Sequence, residues 1–423
     1  MVRGLAARLV AGLDRAGQRF GTSLGLIALL AMLARLGLGA AHGTANYWSE
    51  GYGFFFDIAA NLAAGDGYGL VPGQPSAFRV PGYPLFLVAV TQGEWKPWAI
   101  VLVQSVLGGL TVVAAGLIGR RRFGRRAGLL AALACAAWPY YLWHDTALQE
   151  TALYTCLTAW AVVLLLRLDS RGGLAPALGA GVLMTLTVLV REPMLPFALL
   201  ASLWAGWRLA RREGLRRGVL AALAMLTVLG AGLTPWLAYS RQVNGAAVLG
   251  TEFGGALYAA NHPAVFSHYP DGSIDQSRVE AFKTLTPADW ASYKEMTPLA
   301  RDHWLRRRGA ALVLGDLPGF AMRGLRKVWI AFRPFPSPLH SAPVNWAYAL
   351  TWLPVLVLGL AGLWRARREW RRDLPVHLLF ATFIGITAVL WAQTAHRAFL
   401  DLYLIVFAAG YLVRRQTKRR HVS

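Results

Sequence analysis

The sequence predicts an all-α polytopic membrane protein, and three observations carry that prediction. Of its 423 residues 56% are hydrophobic and only 15% are charged. Apolar runs of about 17–22 residues recur along it, the length an α-helix needs to cross a hydrocarbon core about 30 Å thick. Short arginine-rich clusters separate alternate runs, as the positive-inside rule requires of a multi-pass chain.

Taken in order, ten spans are expected, at about 21–40, 97–119, 127–143, 149–167, 174–191, 193–210, 218–237, 345–364, 375–393 and 398–413. The basic clusters are "RRRFGRR" (120–126), "RREGLRR" (211–217), "RARREWRR" (365–372) and "RRQTKRR" (414–420). They share one side if both termini are cytoplasmic. Of 21 acidic residues, only Asp14, Asp169, Glu213, Glu369 and Asp373 then fall inside. The formal charge of +22 is therefore mainly a topology signal. Anionic membrane lipid is an expected partner and nucleic acid is not.

Residues 1–20 place Val2, Leu5, Ala6, Leu9, Val10, Leu13 and Phe20 near helical spacing among arginines, which fits a helix on the inner membrane face. The competing reading is a signal peptide cleaved near "GLGAAHGTA"; the long apolar run favours an uncleaved anchor. Cys135 and Cys156 both fall inside expected spans and are read as packing residues, not as a disulfide, metal site or nucleophile.

The expected organisation is one transmembrane domain, 1–413, followed by a basic cytoplasmic tail, 414–423. No internal repeat at a fixed period is visible. Two outer segments interrupt the spans, at about 41–96 and 238–344, each expected to carry interfacial helices. In the first, Phe54, Phe55, Ile58, Ala59, Leu62 and Ala63 form one apolar helical stripe, with Asp57 and Asn61 on another face. Gly65 would end that helix. Glu50, alone among glycines and aromatics, precedes it.

The residues that could carry chemistry gather at outer span ends. Arg79 stands before the "PGYP" turn, where a guanidinium can bind phosphate bidentately; the plain alternative is a snorkelling arginine. Glu150 opens a span on the same side as Glu50, so two carboxylates are available for acid–base or cation-stabilising work. A helix-starting acid favoured by the helix dipole is the plain alternative there. Asp57, Asp145 and His144 are rivals for the acid role. Arg191 and Glu192 are adjacent and would neutralise each other at the interface, while Arg35 lies within the first span, near enough to its end to snorkel. Tyr258, Asn261 and His262 offer ring faces and hydrogen bonds suited to a sugar or acceptor, with an ordinary loop role as the alternative.

Some chemistries lack their motifs. No D-x-D pair, H-E-x-x-H or G-x-x-x-x-G-K-[ST] occurs. "GDGYG" lacks the strand–helix frame of a phosphate loop. A soluble nucleotide-sugar or ATP site has little support, and a divalent metal is left open with no motif behind it.

The order "EGYGFFFDIAANLAAGDGY" then "FRVPGYPLFL" resembles the first outer loop of bacterial GT-C-fold glycosyltransferases. That group is glycosyltransferase family 39, related to dolichyl-phosphate-mannose protein mannosyltransferases and the lipid A aminoarabinose transferase. "QETALY" (149–154), "TPWLAYSRQVNG" (234–245), "GGALYAANHP" (254–263) and "AHRAFLDLY" (395–403) resemble the same group in order and spacing. The resemblance implies a GT-C fold and an inverting hexosyl- or pentosyltransferase. Its donor would be a polyprenyl-phosphate-linked sugar and its acceptor a hydroxyl of the cell envelope. The reaction would take place on the outer face of the cytoplasmic membrane. By position, Glu50 matches the family's first-loop general base, Arg79 a basic residue on the carrier phosphate, Glu150 the second acid, and Arg397 a basic residue near the last span's outer end. The chain departs from the group in having a lone Glu where Asp, often Asp-Glu, is usual, and in lacking the proline of the terminal motif.

Three other functions compete. A lipid-linked sugar flippase would place ionisable groups near mid-bilayer on interrupted helices, whereas here the acids cluster at outer span ends. A polysaccharide polymerase or ligase would use pyrophosphate-linked donors. A non-enzymatic assembly partner would tolerate Glu50→Gln.

Overall fold

A computed structural model describes residues 16–45, 47 and 52–420, with side chains through Val413 except that of Arg171. Glu50, the 1–15 segment and the side chains of the basic tail lie outside the described residues. The described chain is helical almost throughout. Eighteen α-helices follow one another: α1 (Phe20–His42), α2 (Phe54–Ala64), α3 (Gly82–Thr91), α4 (Pro97–Phe123), α5 (Arg125–Ala136), α6 (Pro139–His144), α7 (Thr151–Arg171), α8 (Leu174–Val190), α9 (Leu195–Glu213), α10 (Leu215–Asn244), α11 (Phe253–Asn261), α12 (Ile274–Lys283), α13 (Pro287–Glu295), α14 (Pro298–Gly315), α15 (Leu317–Phe332), α16 (Ala342–Ala366), α17 (Leu374–Val389) and α18 (Thr394–Arg420).

Among the described residues, six helices are long and apolar enough to cross a membrane: α1, α4, α7, α10, α16 and α18. Helices also occupy the other four expected spans, with one break. The run expected at 127–143 is two helices, α5 and α6, split at Trp138. Pro139 brings no N–H to continue α5 and forces the preceding residue out of the helical region; Trp138 is extended, at φ −68° and ψ 112°.

The bundle is built around α18. From Ala398 to Ala409 that helix is buried on every side, packed against α16, α5, α4 and α7. A helix apolar all round belongs in the middle of a bundle. By contrast α1 and α16 turn Leu26, Leu30, Leu33, Leu350 and Leu360 outward, where lipid rather than protein would cover them.

The apolar stripe that begins at Phe54 forms a helix. In α2, Phe55, Ile58 and Ala59 are buried, joined by Phe56. Gly65 ends the helix at φ 86°, its N–H bonded to the carbonyls of Asn61 and Leu62. In the second segment α11–α15 form a helical layer whose starts are spelled locally. Ser273, Thr286, Thr297 and Asp316 each accept a backbone N–H at the N-cap, and proline occupies the first turn of the last three helices.

Candidate active site

The loop that carries Arg79 is held from three directions. The Tyr68 hydroxyl donates to the Arg79 carbonyl at 3.0 Å, and Tyr239 of α10 donates to the Tyr68 carbonyl at 3.0 Å. Thr251 N–H donates to the Phe78 carbonyl at 3.3 Å. Gly82 then lets the chain press onto the end of α8. A Cβ there would lie 2.6 Å from the Leu189 carbonyl oxygen, closer than a side chain can approach. This contact sets the residues just before Gly82 against those just after Val190.

Two arginines far apart in sequence are thereby brought to one region, where both act on Tyr52 and His396. Arg191 leaves α8 in extended conformation and turns toward the start of α7, where its Nε stands 3.4 Å from Glu150 Oε1. Its guanidinium also lies over the Tyr154 ring, 5.3 Å from the centroid. Arg79 is half-buried, 6.0 Å from the Phe54 ring. Its Nε and the second oxygen of Glu150 are both buried without a hydrogen-bond partner. A buried guanidinium N–H left open is a costly arrangement unless a ligand completes it.

Tyr52 and His396 complete the cluster. Tyr52 N–H donates to the Leu148 carbonyl at 2.9 Å, tying the first loop to the approach of α7. Burial and the Glu150 carboxylate push the Tyr52 phenol up to about 12, against the pull of Arg191 and Arg79. His396, in the first turn of α18, lies in the field of both Arg191 and Arg79, and its Nδ1 accepts the Gln393 N–H at 3.4 Å. The site thus joins Tyr52, Arg79, Glu150, Arg191 and His396, and among the described carboxylates Glu192 and Asp275 also act on it. Its two guanidiniums suit an anion with several oxygens, above all a phosphate.

The other expected residues lie elsewhere. Asp57 is half-buried on α2, where burial raises its carboxyl above the usual range. Asp145 is committed to Arg35: Nε–Oδ2 is 2.7 Å and both side chains are almost wholly buried. Arg35 therefore does not snorkel; its Nη1 donates to the Ala31 carbonyl at 2.9 Å. Gln104 fixes the same corner, donating to the carbonyls of Asp145 and Ala147 and accepting from Tyr83. His144 Nδ1 lies 2.7 Å from Gln149 Oε1. Arg191 pairs with Glu150 rather than with its neighbour Glu192.

Arg397 is also spent within the fold. It is 1% exposed, and its three donor nitrogens go to Asp401 at 3.0 Å, to the Ala331 carbonyl at 2.8 Å and to the Tyr348 hydroxyl. The Trp352 ring covers it at 3.5 Å. A carrier phosphate would find every nitrogen there already engaged within the core; the neighbouring His396 lies in the field of Arg191 and Arg79 instead. Tyr258 and Asn261 are buried in the outer layer, Tyr258 reaching the Ala281 carbonyl and Asn261 the carbonyls of Leu257 and Val389. His262 caps the short 3-10 helix Pro263–Phe266, accepting the Ala264 N–H at 3.1 Å. A stretch of G-x-S-x-G form, Gly21–Gly25, lies inside α1, where Ser23 donates to the Ala16 carbonyl at 3.0 Å rather than sitting at a nucleophile elbow. Among the described residues no three His, Cys, Asp or Glu side chains converge as a metal site.

Residues 80–239 match the family model described as dolichyl-phosphate-mannose-protein mannosyltransferase. The matched stretch holds Glu150 and Arg191 and begins one residue after Arg79. The oligosaccharyltransferase of Archaeoglobus fulgidus in its apo form aligns with 94% of this chain and 51% of its own, at 15% identity and a TM-score of 0.52. AglB from the same organism, in complex with an inhibitory peptide and a dolichol-phosphate, aligns with 93% of this chain and 50% of its own, at 15% identity and a TM-score of 0.51. This chain has a GT-C fold. The GT-C chain spans about half the length of the oligosaccharyltransferase it matches. ArnT from Cupriavidus metallidurans bound to undecaprenyl phosphate aligns with 94% of this chain and 79% of its own at 15% identity, but its TM-score of 0.40 is too low to speak for the fold. No curated protein matches the GT-C chain by sequence.

Proposed function

We propose that this protein is a membrane glycosyltransferase that moves a sugar from a polyprenyl-phosphate-linked donor to a hydroxyl acceptor on the outer face of the membrane, with inversion. The observation that supports the reading is that Arg79, its Nε buried and open, and Arg191, beside Glu150, both act on Tyr52 and His396. The dolichol-phosphate held by AglB, whose fold this chain shares, agrees in kind with a lipid phosphate at such a site.

In this reading the acceptor oxygen bonds to the anomeric carbon as the bond from that carbon to phosphate breaks. The electron pair of the broken bond stays with the departing polyprenyl phosphate, and the acceptor proton passes to Glu50. A carboxylate of reference pKa about 4.3 cannot ionise a free hydroxyl beforehand, so proton transfer accompanies bond formation. The sugar passes through an oxocarbenium-like state while charge grows on the phosphate. Arg79 and Arg191 stabilise that charge, Glu150 holds Arg191 in place, and His396 and Tyr52 line the same site.

The test is turnover by purified protein in liposomes given a panel of polyprenyl-phosphate sugars and envelope acceptors. Polyprenyl phosphate release and sugar transfer are both followed. Turnover that collapses in folded Glu50→Gln and Arg79→Gln variants supports the reading. Turnover surviving Glu50→Gln moves the base elsewhere. A donor that binds without being consumed makes the protein a lipid-linked sugar transporter instead.

A further inference from the structure

At the end of the bundle opposite that cluster lies a second charged cavity that the proposed reaction does not use. Glu150 and Asp169 sit at the two ends of α7, whose 21 residues separate them by about 30 Å. The cavity, about 510 Å³, opens between the ends of α4, α7 and α9 and the 3-10 helix Arg367–Arg372. That volume is within the usual range for a small-molecule site.

Its walls carry an excess of positive charge. Arg121, Arg122, Arg208, Arg212 and Arg372 face Asp169 and Glu369. Asp373 adds a carboxylate from beneath, bonded to Arg122 at 2.6 and 2.9 Å. Arg122 also reaches Glu369 at 2.9 Å, and Arg208 pairs with Asp169 at 2.5 Å. Arg212 bonds to the backbone carbonyls of Asp169 and Ser170 at the end of α7 rather than to a carboxylate. Five guanidiniums thus meet three carboxylates around one open space, and an anion there would relieve their mutual repulsion.

The surroundings say what kind of anion. Leu200 and Leu203 are exposed on α9 within about two turns of Arg208, and Leu166 lines the cavity itself. Exposed Trp207, Trp364 and Trp370 ring the same end, with Arg208 and Arg367 against the first two. Tryptophans of this kind mark the headgroup level of a bilayer. A phosphate in the cavity would have acyl chains beside α9. Basic pockets between transmembrane helices are a recurrent way of holding anionic lipid headgroups.

We propose that this cavity binds the phosphate of an anionic phospholipid headgroup and thereby clasps the ends of α4, α7 and α9. The site is independent of the transfer site and of its assignment.

The experiment compares delipidated full-length protein reconstituted with phosphatidylglycerol, with phosphatidylcholine, or with millimolar inorganic phosphate and phosphatidylcholine. Retained lipid is read by native mass spectrometry and stability by the unfolding midpoint. Phosphatidylglycerol should be retained selectively and raise the midpoint. Arg212→Gln with Arg372→Gln should lower that preference about tenfold or more, since each lost surface charge weakens the attraction severalfold. Arg216→Gln with Arg368→Gln, exposed at the same end but outside the cavity, should leave it unchanged. Arg212→Lys, which keeps the charge, should retain most of it and covers the case in which the double variant misfolds. Equal retention of both lipids, an equal loss in the control pair, or a midpoint shift by inorganic phosphate with no lipid preference would each overturn the proposal.

Discussion

Glu150 Oε1 lies 3.4 Å from Arg191 Nε, while the other oxygen of the same carboxylate is buried with no partner. The acid thus positions an arginine and keeps one oxygen buried and unpaired. Glu150→Gln preserves the shape and removes the charge. Donor kcat/KM should fall about tenfold, the worth of one charge-assisted contact of roughly 1.5 kcal/mol, with the loss mostly in KM. The limbs of the pH–rate profile should stay where they are. A collapse of kcat with loss of the acid limb would instead make Glu150 the proton acceptor.

Arg79 and Arg191 are expected to differ from ordinary surface arginines in their tolerance of lysine. Arg79→Gln removes a preorganised donor, and its expected cost is about 10²–10³ in kcat. Arg79→Lys keeps the charge but loses the fork, and should recover only part of that. Single-turnover measurements of polyprenyl phosphate release would separate the chemical step from donor binding. Equal activity in both variants would remove Arg79 from the phosphate site.

The Arg35–Asp145 pair is a matter of folding rather than turnover. Both groups are buried at 2.7 Å, so removing either one strands a charge. Arg35→Met and Asp145→Ala should each destabilise by about 3–5 kcal/mol, whereas the double variant should lose much less than their sum. Unfolding midpoints in detergent for the four proteins complete the cycle. Additive losses would mean that the two residues act independently.

These contrasts also mark what could be read from the chain. Helix α2 and its end at Gly65 were legible because stripe and terminator are local signals. The span expected at 127–143 runs past the end of α5 because its apolar content continues through Trp138-Pro139, and hydropathy does not register a missing N–H. The arginine partners were not legible. Arg35 meets Asp145 across 110 positions, and Arg191 passes over adjacent Glu192 for Glu150. His396 and Arg397 show the finest limit: one step along a helix turns a side chain by about 100°, and that turn sends Arg397 into the core while His396 lies in the field of Arg191 and Arg79. The gathering of charged residues near span ends, and Arg79 before its turn, were visible because they depend only on where spans end.

Lys327 gives a prediction about pH. Its Nζ donates to the carbonyls of Val389 at 3.2 Å and Ala260 at 3.4 Å, joining the outer layer to the end of α17. Burial, helped by Arg323, lowers its ammonium to about 7. The unfolded chain keeps this lysine protonated up to about 10.4. Between those values the unfolded state binds more protons than the folded one, so stability should rise as pH increases from 7 toward 10. Below pH 7 the folded protein carries the full penalty of a buried charge. Lys327→Met should therefore raise the unfolding midpoint by several degrees at pH 6 and narrow its advantage steadily toward pH 10. Midpoints of both proteins across that range provide the check, and a constant difference between them would show that Lys327 does not titrate on unfolding.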